Sequence, residues 1–157
     1  MFCFGDYYIT TKSDFENEVE ITTFTLCGST VIFHSVGWFK RKTKDGDETV
    51  YFANTGYASL PSNYLEENEV TFNFNWTDTQ FSRGTEVAWT HSMTVATSLD
   101  GSTINKKKDE RYNDSNPKHT DVTSMFHIGN WELVSDSDKE KVRKEVLYIT
   151  SKLLNNI

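Results

Sequence analysis

The sequence predicts an α+β fold: an antiparallel β-sheet of five or more strands with an N-terminal hairpin and a C-terminal amphipathic helix. Aromatic residues make up 14% of the 157 residues, and Thr and Val are also plentiful; such side chains suit a pleated surface. Several segments alternate apolar and polar residues, as strands with one buried face do. The period becomes helical only near the C-terminus. Because no repeat or composition shift divides the chain, we expect one domain over residues 1–157.

The first hairpin is predicted from residues 7–11 and 18–26, which are rich in β-branched residues and flank a polar connection. In the second segment Val19 and Ile21 share one face, and Glu18 and Glu20 share the other. This strand is therefore expected to have one buried face and one polar face.

A second hairpin is predicted from strands at residues 30–44 and 47–53, joined by a turn at Asp45-Gly46. A two-residue loop at this turn would pair Phe39 with Phe52 and Lys40 with Tyr51. Cross-strand partners share a face of the sheet. One face then carries Phe39, Val50 and Phe52, and the other carries Lys40, Lys42, Lys44, Thr49 and Tyr51.

Two further strands are predicted where apolar and polar residues alternate. Val70, Phe72, Phe74 and Trp76 alternate with Thr71, Asn73 and Asn75, and Val87 to Val95 follows the same rule, with Thr90 and Ser92 on its polar side. Residues 98–121 are polar and are expected to form a long loop. Residues 122–134 are expected to form the last strand.

The helix is predicted over residues 136–155. Ser137 and Glu140 have the spacing of a capping box. Val142, Val146, Ile149 and Leu153 then repeat at intervals of four, three and four residues, which places them on one side of a helix.

The polar face of the sheet is a candidate RNA-binding surface, provided that the strands join with their apolar sides together. Lysines bind phosphates, and hydroxyl and amide groups bond to sugars and base edges. The formal net charge of −7 disfavours nonspecific nucleic-acid binding by the chain as a whole, but this face would carry almost no acid. The alternative is an ordinary solvated face. The predicted RNA-binding residues are Lys40, Lys42, Lys44, Thr49, Tyr51, Asn73, Thr90 and Ser92.

The apolar face of the sheet raises the question of what covers it. One helix covers a sheet of five strands only in part, which would leave residues such as Phe72, Trp76 and Trp89 exposed. A partner subunit could cover them, with a dimer interface formed by Val142, Val146, Ile149 and Leu153. Cover by the N-terminal strands, or closure of the sheet into a barrel, explains the same pattern equally well.

The segment Val134-Ser135-Asp136-Ser137-Asp138, followed by the helix from Val142 to Leu154, resembles the coat proteins of single-stranded RNA phages. The hairpin from Trp38 to Ala53 is similar in style. The resemblance implies a viral coat subunit that forms homodimers and a larger assembly and contacts RNA with its sheet. It also implies a virion protein that is assembled in the host cytoplasm.

The sequence contains no motif that predicts catalysis. The four histidines lack metal-binding spacing, and neither a nucleophile elbow nor a phosphate-binding glycine loop occurs. We therefore expect no catalytic residue, no metal, no cofactor and no enzyme activity; an enzyme using His91 or His127 is the weaker hypothesis. No apolar run approaches the ~18 residues of a membrane span, so no membrane contact is expected.

Two other functions remain open at this point. One is a monomeric β-barrel that binds a small apolar ligand, and the other is a small acidic inhibitor that mimics nucleic acid. The barrel hypothesis requires the aromatic face to line a closed interior. The inhibitor hypothesis requires the acidic residues to cluster on one surface.

Overall fold

The chain folds into a closed antiparallel β-barrel with one helix on its outside. A computed structural model describes residues 2–62, 64, 70–82, 85–98, 100–112 and 129–155, without the side chains at 75–76, 78, 80–82, 85–93 and 106–112. Each strand pairs with the next in the chain, and β8 pairs with both β1 and β7, which closes the sheet. The elements are β1 (Tyr7–Thr10), β2 (Glu18–Cys27), β3 (Thr30–Thr43), β4 (Gly46–Ser59), β5 (Val70–Ser82), β6 (Thr85–Thr97), β7 (Thr103–Tyr112), β8 (Trp131–Leu133) and α1 (Lys139–Leu154).

The predicted fold class is confirmed: the sheet is antiparallel, β1 and β2 form the N-terminal hairpin, and α1 is the C-terminal helix. The capping box is not formed. Asp138 is the N-cap residue and makes no capping side-chain hydrogen bond. Ser137 instead bonds to the hydroxyl of Ser135, and Glu140 pairs with Arg143.

The hairpin of β3 and β4 differs from the predicted one in register. Thr43 pairs with Gly46, so the two loop residues are Lys44 and Asp45, and Phe39 lies opposite Val50 rather than Phe52. Each β3 residue therefore pairs with a β4 residue two positions earlier in the chain than predicted. Because side chains alternate with a period of two, this shift preserves the predicted faces.

The prediction of a long loop over residues 98–121 is wrong in part. Strand β7 occupies residues 103–112 and pairs with β6, with a bulge between Thr94 and Val95. Of the last strand predicted over residues 122–134, the structure shows Trp131–Leu133 as β8. Residues 113–128, which belong to the predicted loop and the predicted strand, lie outside the described residues.

One end of the barrel interior is filled by aromatic rings. The ring of Phe2 stacks on the ring of Phe24, with 4.3 Å between their centroids. The centroid of the Phe72 ring lies 4.7 Å from that of the Phe2 ring. The N-terminal segment thus closes this end of the barrel, where burial of apolar surface stabilises the fold. We call this set the aromatic end: Phe2, Tyr8, Phe24, Val31, Phe33, Ala58, Val70, Phe72, Phe74, Val95, Ile104 and Trp131.

Helix α1 packs on the outer surface of β3 and β4, and its buried side chains also cluster with residues of β2. Val142, Ile149 and Leu153 are buried against Val19, Ile21 and Trp38, together with the partly buried Val146. The indole Nε1 of Trp38 also donates a hydrogen bond of 2.8 Å to Glu145 Oε1. The apolar face of β2 therefore points outward to the helix, and its polar face points into the barrel.

This arrangement changes the premise of the predicted dimer. Phe72 and Phe74 are buried inside a single chain, and closure into a barrel provides their cover. Three residues of the predicted dimer interface, Val142, Ile149 and Leu153, are buried against the sheet of the same chain. They are therefore not exposed to a second subunit in this structure.

Candidate ligand site inside the barrel

A belt of polar side chains lines the inner wall of the first four strands. The interior of a small barrel is usually apolar, because a polar group removed from water requires a compensating hydrogen bond. Each of these residues is at most 6% exposed. We call them the polar belt: Thr10, Glu20, Thr22, Ser35 and Asn54.

Three belt residues form a row across neighbouring strands. Thr22 pairs with Ser35, and Ser35 pairs with Asn54, so their side chains share the inner face. The hydroxyls of Thr22 and Ser35 bond to each other at 2.5 Å. All three side chains are small or of medium size, whereas the neighbouring inward residues of the same strands include Phe24 and Phe33.

Glu20 and Thr10 form the second part of the belt. Ile9 pairs with Ile21, so Thr10 and Glu20 are neighbours on the inner face, and Thr10 also lies directly across from Trp131. Trp131 Nε1 donates a hydrogen bond of 3.1 Å to Glu20 Oε1. In the described chain, the buried Thr10 Oγ1 has no hydrogen-bond partner.

The belt lies between two apolar layers. The aromatic end is on one side, and a cluster of Phe39, Val50 and Phe52 is on the other. Gly37 is adjacent to the belt, and a Cβ atom there would lie 2.2 Å from Phe52 Cζ. The absence of a side chain at this position therefore allows the Phe52 ring to lie against the β3 backbone.

The closed end of the barrel is held by a polar contact inside apolar surroundings. The Tyr8 hydroxyl donates to the carbonyl of Gly101 and accepts a hydrogen bond from the backbone N–H of Cys3. Burial raises the pKa of Tyr8 well above its usual range. The phenol therefore stays neutral and links the N-terminal segment to the turn before β7.

A groove lies on the outside of the barrel. It has a volume of about 340 Å³ and lies between the start of α1, strands β1 and β8, and the turn that contains Phe15. Phe15 has a positive φ of 61°, and the ammonium of Lys141 lies 4.1 Å from the centroid of its ring. The groove has an apolar floor and charged residues at its rim.

The structure brings only part of the predicted RNA-binding set together. Lys40, Lys42, Lys44 and Thr49 are exposed on one hairpin, but Asp47 lies directly across from Lys42, so an acid is among the lysines. Tyr51 is partly buried and contacts the ring of Tyr148 on the helix.

The rest of that set lies elsewhere. Asn73 is exposed in β5, near Asn75, which pairs with Tyr57. Tyr57 is eight residues along β4 from Thr49, or about 26 Å at ~3.3 Å per residue. Thr90 and Ser92 belong to β6, and their side chains lie outside the described part of the chain.

Nothing in the described residues indicates a metal site or a membrane-spanning helix. There, no cluster of three or more His, Cys, Asp or Glu side chains is placed to bind a metal ion. Likewise, no described helix combines the length and the apolar character needed to cross a bilayer. The side chains of Trp76, Trp89 and His91, and all of His127, lie outside the described residues.

Comparisons with protein-family models, curated proteins and solved structures find no match for this chain. The function is therefore argued from the site alone. Sequence reasoning did not identify the polar belt, although the alternation of Glu18 and Glu20 with Val19 and Ile21 was a signal. It separated the two faces of β2 without identifying the glutamate face as the one that lines the barrel, where Glu20 is buried.

Proposed function

We propose that this protein binds one small, mainly apolar molecule inside its barrel. The observation that carries the proposal is the polar belt, a set of buried hydrogen-bonding groups between two aromatic layers. Eight-stranded barrels are just wide enough to be filled by side chains or to hold one small ligand. Ligand sites are typically apolar, with a few polar groups that orient the ligand.

The size of the belt side chains supports this proposal. In a barrel of this width, large inward side chains fill the cross-section, as they do at the aromatic end. Thr10, Thr22 and Ser35 are much smaller than the residues of that end. On the wall formed by β1 to β4, small polar side chains between large apolar ones favour a ligand that uses their hydrogen-bonding groups.

The coat-protein hypothesis is less well supported by this geometry. It required a partner to cover the aromatic face, and the described rings of that face, Phe72 and Phe74, are buried within a single chain. Self-assembly and RNA contact remain predictions.

The proposal predicts saturable uptake of a neutral apolar dye, such as Nile red, at about one molecule per chain. Ser35→Leu, which fills the belt, is expected to weaken this binding at least about tenfold, a change of roughly 1.4 kcal/mol. The measurement is a fluorescence titration, with circular dichroism to verify folding.

His34→Leu is the matched control. His34 precedes Ser35 in β3 and is exposed on the outer face, so the same new side chain there is expected to leave dye binding unchanged. Absence of saturable uptake by the unmodified protein would contradict the proposal. Equal weakening by both substitutions would contradict the location of the site.

A further inference from the structure

The outer wall around the aromatic end carries a set of neutral side chains. They alternate along β2, β3, β4 and β5 with buried residues such as Phe24 and Phe33, so they face outward. Strand pairing places them side by side, in rows that cross neighbouring strands. We call this set the neutral patch: Thr23, Thr25, Ile32, His34, Thr55, Tyr57, Asn73 and Thr94.

The composition of the neutral patch contrasts with that of the whole chain. The sequence contains 16 Lys and Arg residues and 23 Asp and Glu residues, but none of the eight patch residues is of these types. Elsewhere on the outer wall, the β3–β4 hairpin exposes Lys40, Lys42 and Asp47. An ionic ligand would therefore find no carboxylate, ammonium or guanidinium group within the patch, and a neutral ligand fits it better.

Tyr57 gives the patch an exposed aromatic ring. It is 58% exposed, whereas the aromatic residues at the inner side of the same wall are buried. Ile32 lies directly across from it in β3. A tyrosine offers a large, rigid apolar face together with a polar hydroxyl, which suits ligands that combine both characters.

The polar groups beside this ring are held by hydrogen bonds within the patch. His34 Nδ1 and Thr55 Oγ1 are 3.2 Å apart, and Thr94 Oγ1 donates to Asn73 Oδ1 over 3.1 Å. These contacts use one ring nitrogen of His34 and the oxygen of the Asn73 amide. His34 Nε2 and the two N–H donors of Asn73 can still bond to a ligand, and both side chains are exposed.

We infer that the neutral patch binds a neutral glycan. One face of a sugar ring presents C–H groups, which are attracted to the negative face of an aromatic ring such as Tyr57. Each sugar hydroxyl both donates and accepts, as the groups of His34, Thr55 and Asn73 require. The patch crosses β2 to β5, or about 14 Å at ~4.8 Å per strand, which is room for more than one sugar unit.

Other partners fit the neutral patch less well. Binding of a polyanion such as RNA depends on Lys and Arg, which the patch lacks. An apolar protein surface requires a larger apolar area than Ile32 and Tyr57 supply. The inference does not depend on the proposed binding inside the barrel, because the patch is on the outer side of the wall.

Native gel electrophoresis with an entrapped polysaccharide tests the inference. The net charge of −7 carries the protein towards the anode, and binding to the immobile polymer slows it. The neutral probes are soluble starch, hydroxyethylcellulose, galactomannan and laminarin, and the anionic probe is alginate. We expect at least one neutral polymer, but not alginate, to retard the protein. Retardation by none of the neutral polymers, or equal retardation by alginate, overturns the inference.

Substitutions of Tyr57 test the location of the site. Tyr57→Ala should weaken the retardation at least about tenfold in dissociation constant, because an aromatic anchor is lost. Tyr57→Phe keeps the ring and should bind within about threefold of the unmodified protein. Tyr148→Ala removes a tyrosine of similar exposure, 49%, from α1 and is the control. Unchanged binding by Tyr57→Ala, or equal weakening by Tyr148→Ala, contradicts this location, and circular dichroism verifies that each variant is folded.

Discussion

Asp14 organises the turn between β1 and β2 through its carboxylate. Its Oδ1 accepts hydrogen bonds from the backbone N–H groups of Glu16, Asn17 and Glu18, and its Oδ2 accepts one from the Asn17 side chain. These bonds, above all those from Asn17, lower the pKa of Asp14 far below its usual 3.8. The same turn holds Phe15 at positive φ, which a bulky residue rarely adopts.

The first prediction concerns Asp14→Ala. The folded-state pKa is depressed, so the ionised carboxylate stabilises the fold fully above 3.8, and the contribution declines as pH falls towards the folded value. At about pH 7 the variant should unfold at a lower urea concentration than the unmodified protein. The difference should shrink as pH falls below 3.8.

Asp47→Ala is the control for this prediction, because Asp47 is an exposed acid in the β3–β4 hairpin. Its urea midpoint should remain close to that of the unmodified protein at both pH values. A destabilisation by Asp14→Ala that is the same at low and neutral pH would show that the charge of Asp14 is not responsible.

Glu20 shows why the candidate site was hard to predict from residues alone. Alternation in β2 correctly separates Val19 and Ile21 from Glu18 and Glu20, but alternation does not specify which face is inside. In this barrel the apolar face is covered by α1 from outside, and the polar face lines the interior. The usual rule of an apolar interior and a polar exterior therefore does not hold for Glu20.

At the scale of elements, strong local patterns were sufficient for most strands and for the helix. The alternation of Val70, Phe72 and Phe74, and the four-three-four spacing in α1, correspond to observed elements. Strand β7 was missed because its Lys106-Lys107-Lys108-Asp109-Glu110 run has no apolar alternation. It forms a strand through pairing with β6 and β8, which is tertiary information.

The second prediction tests how α1 is docked. Ile149 is fully buried against the outer surface of the barrel, whereas Leu147, two residues earlier, is 56% exposed. Ile149→Ala should reduce the free energy of unfolding by about 2–5 kcal/mol, because it leaves a cavity between helix and sheet. Leu147→Ala should change it by less than about 0.5 kcal/mol. Urea denaturation followed by circular dichroism measures both.

The concentration dependence of unfolding distinguishes docking within one chain from exchange of helices between chains. With docking within one chain, the midpoint of unfolding is independent of protein concentration. A midpoint for the unmodified protein that rises with concentration would indicate that association contributes to stability. It would support the predicted dimer interface instead.

At the scale of the whole molecule, closure of the sheet determines what the surface offers. A closed barrel has fewer exposed strand edges than an open sheet, and such edges otherwise pair with other chains. Phe72 and Phe74, the described rings of the predicted apolar face, are inside. The closure of the sheet and the position of these rings could not be read from the sequence, because closure depends on pairing between β1 and the short β8, more than 120 residues apart.

The last prediction follows from this enclosure. Phe72 and Phe74 are buried inside one chain, and three of the four apolar residues of the predicted dimer interface are buried against its own sheet. We therefore expect the purified protein to be a monomer over the micromolar range. Light scattering coupled to size-exclusion chromatography should give the mass of one chain, and the eluted peak should show the absorbance of protein without nucleic acid. Particles, or a stable dimer that carries RNA, would contradict this expectation and favour the coat-protein hypothesis, with Lys40 and Lys42 as the first residues to substitute. A monomer that takes up Nile red would instead agree with a barrel that binds its ligand inside a single chain.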